Sequence, residues 1–200
     1  MSNWKKMQLG DCVQILSGGT PSKVNKDYWN GDIPWVSAKD LKSFFLHDTQ
    51  DHISLEAVEN GTKIAPKGSI FVLVRGMTLH NDLPIAYPTR DMAFNQDVKA
   101  LITNENLINN QYLIYWLLAH KLKLMRLVES ASHGTGRINT DVLKSIIISC
   151  PDLEEQSKIA NLLGNFDRKI ENLRRQNETL EAIAVSSPND SKIQKTTWNW

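Results

Sequence analysis

Between Asp152 and Ala184 the apolar residues recur with a seven-residue rhythm. Ile159, Leu163, Phe166, Ile170, Leu173, Leu180 and Ala184 alternate spacings of four and three, and Asn177 fills the one slot in the series that is not apolar. A heptad sustained over this length is the pattern of a helix that pairs with another helix. With Leu163, Ile170, Asn177 and Ala184 at a, the d positions are Ile159, Phe166, Leu173 and Leu180, and the other faces carry charges from Lys158 to Glu181. A lone amphipathic helix is marginal in water, so its stripe needs cover, either from this chain's own globular part or from a second helix. At about 1.5 Å per residue the segment is on the order of 45 Å long, more than one small domain usually covers, which favours a partner. The expected pairing surface is Ile159, Leu163, Phe166, Ile170, Leu173, Asn177 and Leu180. Asn177 either fixes the register of that pairing or lies exposed near the helix end. Gly164 lowers helix propensity by about 1 kcal/mol relative to Ala and marks a bend or a close approach.

The 200 residues, 41% hydrophobic, suffice for one core of about 150 residues plus this helix. The fold class that follows is α+β, a mixed α/β globular domain over residues 1–150 followed by the long coiled-coil-forming helix over 151–184. Residues 185–200 have no apolar periodicity until Trp198 and read as a flexible tail. Net charge is +1; residues 1–150 carry 16 basic against 14 acidic groups, and 151–200 carry 7 against 8. Bulk charge therefore does not announce a nucleic-acid binder, and any such surface is a local patch. Cys12 and Cys150 are too few for a disulfide framework and are expected as small buried hydrophobes. No signal-peptide pattern and no run of 18 apolar residues occurs, so the chain reads as a soluble cytoplasmic protein with no membrane partner.

Met7 to Ile15 reads as a short turn or helix, and Gly18-Gly19-Thr20-Pro21 as a turn outside regular structure. Ile33 to Ser37 reads as a strand, with Pro34 at an edge or at its start. A short helix is expected over 53–61. Ile70-Phe71-Val72-Leu73-Val74 is continuously apolar, as a strand buried on both faces would be. Further strands are expected over 83–87 and 97–102, then a helix capped by Asn109 or Asn110 and running to about Glu129. Ser130 to Arg137 reads as a loop, Val142 to Lys144 as a short helix capped by Asn139 or Thr140, and Ile146 to Ile148 as a strand closed by Pro151.

No phosphate-binding glycine loop, dinucleotide fingerprint or hydrolase elbow is present. His47 and His52, with Asp48 and Asp51 between them, read as a solvated polar loop rather than a metal site. His133 with Asp141 or Glu129 could form an acid–base set, but no nucleophile accompanies it. No catalytic residue, metal site or cofactor is expected.

Several stretches in order carry a likeness: Leu9-Gly10-Asp11, Gly18-Gly19-Thr20-Pro21-Ser22, Tyr28-Trp29-Asn30-Gly31-Asp32-Ile33-Pro34-Trp35-Val36, Gly68-Ser69-Ile70 and Arg75-Gly76-Met77-Thr78-Leu79. Asn95-Gln96-Asp97-Val98, Gly136 to Leu143, Pro151 to Ala160 and Asp167-Arg168-Lys169-Ile170 continue it. Together they resemble one half of a type I restriction-modification specificity subunit, a target recognition domain followed by a spacer helix. The resemblance implies a non-catalytic subunit that reads half of a bipartite double-stranded DNA site and docks methyltransferase subunits and, with them, the restriction subunit. The family's full-length members have two such domains and two helices in one chain, and with one of each here the leading expectation is a homodimer through residues 152–184 that restores both. In the family the two helices run antiparallel, and a 45 Å spacing corresponds to roughly 13 base pairs between reading heads. An in-register antiparallel pair sets Asn177 against apolar residues near Leu162, whereas a parallel pair sets Asn177 against its own copy.

The candidate DNA-binding residues are polar groups on the glycine-rich loops: Thr20, Ser22, Lys23, Lys39, Arg75, Thr78, His80, Asn81, Arg90, His133, Thr135 and Arg137. Arginine pairs bidentately with guanine, asparagine with adenine, and lysine chiefly meets phosphate. Asn95, Gln96, Trp29 and Trp35 are expected to be structural. The alternative is a coiled-coil adaptor whose globular domain binds protein and never DNA.

Overall fold

The computed structural model describes residues 4–131 and 134–186, with side chains as far as Ala184. In chain order the elements begin with strand β1 (Lys5–Gln8), helix α1 (Leu9–Cys12), strand β2 (Val13–Ser17), a 3-10 turn (Lys26–Trp29), and strands β3 (Ile33–Val36), β4 (Phe45–Leu46) and β5 (Asp51–Ile53). Helix α2 (Leu55–Gly61) leads to strands β6 (Ile64–Ala65), β7 (Ile70–Leu73) and β8 (Arg75–Gly76) and a second 3-10 turn (Met77–His80). Then come β9 (Ile85–Pro88), β10 (Met92–Phe94), β11 (Val98–Thr103), α3 (Asn110–Ala119) and α4 (Lys121–Met125). Strands β12 (Glu129–Ser130) and β13 (Gly136–Arg137), helix α5 (Thr140–Lys144), strand β14 (Ile147–Cys150) and the long helix α6 (Leu153–Ser186) complete the chain. The mixed α/β class with a long final helix is as expected from the sequence.

β7 is buried at all four positions and sits centrally in a five-stranded sheet of order β2-β11-β7-β9-β4. A strand apolar on both faces needs cover on both, and here Phe71 packs against Phe94 with ring centroids 5.3 Å apart. A four-stranded sheet, β5-β3-β10-β6, carries a smaller core of Trp35, Ile53, Ala57 and Ala93 with Trp29 and Tyr28 against it. Pro34 lies in an inner strand, not at an edge, but β10 pairs with β3 only from Trp35 onward, so the missing amide interrupts no bond on that side. The segment read as an opening turn or helix is instead strand, one turn of helix, strand. β1 pairs with β14 (Lys5 opposite Cys150) and β2 with β11 (Ser17 opposite Lys99), both partners distant in sequence.

The helix expected from Asn109 to Glu129 is broken at His120 (φ −100°, ψ 8°), whose ring stacks on Trp116 at 3.9 Å while Nδ1 donates to the Trp116 carbonyl at 2.8 Å. Asn109 caps α3 by accepting from the Tyr112 amide. Its own amide donates to Gln156 Oε1 at 2.8 Å, and Gln156 Nε2 donates to the Pro151 carbonyl at 2.9 Å. Gln156 is 1% exposed, so a buried amide with both ends satisfied fastens the start of α6 to α3. Asp152 accepts from the Glu155 amide and supplies the helix cap.

The chain divides into two compact units, residues 1–160 and 161–200. The first two turns of α6 therefore belong to the globular unit: Ala160 is buried in its core and Ile159 packs against it. Beyond them the stripe is open, with Leu163 37%, Phe166 61%, Ile170 47%, Leu173 45% and Leu180 63% exposed, and Asn177 also exposed. Residues 185 and 186 are helical, and the remainder of the expected tail lies outside the described residues. No helix among the described residues is long and apolar enough to cross a membrane.

Tyr112, 4% exposed, donates through its hydroxyl to the Ser149 carbonyl, and burial, with Cys150 and Glu155 nearby, pushes its phenol up to about 12. A phenol held neutral in the folded chain contributes stability that is complete below its ordinary value of 10 and is lost as pH rises toward 12. Urea unfolding across that window is expected to show a steeper loss of stability in the native chain than in Tyr112→Phe, which has no such proton to lose.

Candidate nucleic-acid interface

Strand register decides which candidate residues meet. Ser17 lies opposite Lys99, and Val98 opposite Leu73, so the end of β2, the start of β11 and the end of β7 are side by side at one end of the five-stranded sheet. The segments that emerge there are 18–23, 95–97 and 75–81. β13 then pairs with β8, Arg137 opposite Arg75 and Gly136 opposite Gly76, and brings in the segment around Thr135. Thr20, Ser22, Lys23, Arg75, Thr78, His80, Asn81, Thr135 and Arg137 thus converge from three parts of the chain.

Backbone contacts fix these loops. Trp35 Nε1 donates to the Gly19 carbonyl at 3.0 Å and Trp29 Nε1 to the Ser22 carbonyl at 3.1 Å, while the two indoles pack edge to face at 5.0 Å. The Gly19 amide donates to both the Phe94 carbonyl and Thr62 Oγ1, and Thr62 donates on to Phe94. At Gly18 a Cβ would stand 2.0 Å from the Phe94 carbonyl oxygen, which is why the loop begins with glycine. Both tryptophans are structural here, as their sequence context suggested.

The polar groups are joined in sequence-distant pairs. Thr20 Oγ1 donates to Gln96 Oε1 at 2.7 Å, and Arg75 Nε donates to Asp97 Oδ1 at 2.6 Å. Asn95 is buried and shapes the 95–97 turn, its Oδ1 accepting from the Asp97 amide. Arg75 is half exposed, so its ion pair adds little stability; held by the Nε edge, the guanidinium keeps its outer amino groups for an incoming acceptor. His80 Nε2 donates to the Gly134 carbonyl at 2.9 Å, which places the proton on Nε2 and ties the 3-10 turn to the 134–137 segment. The segment read as a simple loop over 130–137 holds the last residue of β12 and all of β13, with Glu129 opposite Arg137.

Lys99 escaped the sequence reading because it lies inside a strand. It donates to Ser17 Oγ at 2.6 Å, and burial and then the charge of Arg137 hold its ammonium below the usual lysine value. Gln96, expected to be structural, is exposed and belongs with Thr20. Lys39 lies elsewhere, lining a surface cleft with His47, Asp48 and Gln50, and is ion-paired with Asp51 at 2.7 Å, a hydrogen bond that raises its pKa. Arg90 emerges at the opposite end of the five-stranded sheet, because β9 runs antiparallel to β7 and Pro88 lies by Gly68. There His52 pairs with Asp48 at 2.8 Å; burial opposes it, yet the bonds from His52 and Thr49 and the charges of His52 and Arg90 hold the Asp48 carboxyl below its ordinary value. His133 lies outside the described residues. Among the described residues no cluster of three metal-ligating side chains occurs.

A family model, the type I restriction modification DNA specificity domain, matches residues 1–182. The chain belongs to this family. The specificity domain is 31% identical over 203 residues to the specificity subunit of the Escherichia coli type I restriction enzyme EcoR124I/EcoR124II, covering 95% of this chain and 50% of that one. It is 33% identical over 191 residues to the MjaIX specificity subunit of Methanocaldococcus jannaschii, covering 92% and 42%. The type I restriction-modification S subunit from M. genitalium shares the fold at a TM-score of 0.64 and 18% identity, over 89% of this chain and 42% of that one. The specificity domain thus spans half or less of the length of these relatives.

Because the Gly18 contact admits no side chain, Gly18→Ala must push the loop off Phe94. A loss of about 1–3 kcal/mol, as for other overpacked sites, is expected in urea unfolding.

Proposed function

We propose that this chain reads one half of a bipartite double-stranded DNA site as the non-catalytic specificity subunit of a type I restriction-modification system. The observation that carries the reading is the convergence of Thr20, Arg75, Arg137 and their neighbours, from segments far apart in sequence, at one end of a rigid sheet. Sites that read bases need donors held in fixed geometry, and family membership supplies the chemistry to which such donors are addressed. Arg75, braced by Asp97, and Arg137 reach guanine edges; Thr20, Thr78 and Asn81 engage bases or phosphate; Lys23 meets phosphate.

Methyltransferase subunits dock on the same chain, the restriction subunit joins through them, and two copies pair along α6. Support for the pairing is the exposed stripe Leu163, Phe166, Ile170, Leu173 and Leu180, which one copy leaves in water. An antiparallel pair would set a reading head at each end.

Binding measured with the methyltransferase subunit present tests the reading. Arg75→Ala or Arg137→Ala should relax preference at one base position by about 1–3 kcal/mol, while Lys23→Ala weakens all sequences alike and lowers the salt dependence. Uniform losses from both arginine changes would restrict them to backbone contacts, and no sequence preference at moderate salt would favour the adaptor.

The chain's molar mass in solution should correspond to two copies, falling to one in Phe166→Asp with Leu173→Asp. In a Cys12→Ser, Cys150→Ser background, Asn177→Cys should not crosslink to itself; efficient crosslinking would mean parallel helices.

A further inference from the structure

Met77 is 73% exposed, between Arg75 and Thr78 in sequence and next to the strand pair that carries Arg137. Single exposed apolar side chains are common and signify nothing by themselves. What distinguishes Met77 is that the backbone fixes it outward. Gly76 before it has φ +154° and ψ 165°, a conformation that residues with a side chain rarely adopt, and pairs with Gly136. After it, the amides of Asn81 and Asp82 both donate to the Thr78 carbonyl, at 2.9 and 2.8 Å, closing the 3-10 turn. Leu79 of the same turn is 1% exposed, so one apolar residue of the turn is anchored in the core and the other is displayed. His80 bonded to Gly134 holds the far side.

The major groove offers one apolar group among its donors and acceptors, the 5-methyl of thymine. An unbranched, polarizable thioether conforms to so small a convex group, and arginines beside it supply the contacts to phosphate or guanine that bring it within reach. We propose that Met77 covers a thymine 5-methyl group in the half-site that Arg75 and Arg137 engage. This rests on the DNA-reading function proposed above and adds a specificity-determining residue to it.

The preferred site is first selected from duplexes randomised over the binding region, using the full chain with the methyltransferase subunit. Each thymine of that site is then replaced in turn by deoxyuridine, which lacks only the methyl group. At one position the native chain should lose about fourfold in affinity, what one buried methyl group contributes. Met77→Ala should bind the thymine and deoxyuridine duplexes equally there, and Met77→Leu should keep most of the discrimination. Silence of every replacement in the native chain, or discrimination that survives in Met77→Ala, overturns the proposal while leaving the DNA-reading function in place. Selection of no sequence at all overturns both.

Discussion

A strand buried on both faces must be flanked on both edges, and that requirement on Ile70 to Leu73 organises the rest of the chain. β11 and β9 supply the flanks, and their antiparallel register sorts every connecting segment to one end of the sheet or the other. Arg75 and Asp97 meet because Leu73 and Val98 are partners two residues earlier and one residue later. Arg90 is carried away from them by the same register. The polar cluster is thus a by-product of backbone pairing, and its precision is that of a sheet rather than of a loop.

The second constraint is the buried amide of Gln156. A side chain that is 1% exposed yet carries a carbonyl and an amino group would be destabilising if left unpaired, and here both are matched to backbone atoms. One partner is the capping residue of α3 and the other is Pro151, two residues before α6, so the start of the long helix is set by the core and not by its own propensity. From Leu163 onward the helix exposes apolar side chains at heptad spacing, and its stability there depends on what covers them.

The elements with strong local periodicity were legible in the sequence: β7 from its unbroken apolar run, α6 from its heptads, α3 from its asparagine cap and the mixed class from all three. The site was legible only in part. Thr20 and Arg75 stand next to glycines, a signal visible in the sequence, but nothing within ten residues of Lys99 signals that Ser17 and Arg137 will be its neighbours. β2 was hidden because its partner is more than 80 residues away, and α3 was extended too far because no composition rule encodes the Trp116–His120 stack. Lys39 resembled the other loop cations in sequence, and nothing local shows that folding pairs it with Asp51, twelve positions distant.

Trp29 and Trp35 hold the loop over 19–22 by its carbonyl oxygens, not by its side chains. A clamp that grips only main-chain atoms is indifferent to what hangs from them. Exchange of Ser22 or Lys23 accordingly leaves both indole bonds in place, whereas exchange of Thr20 also removes the bond that ties the loop to Gln96.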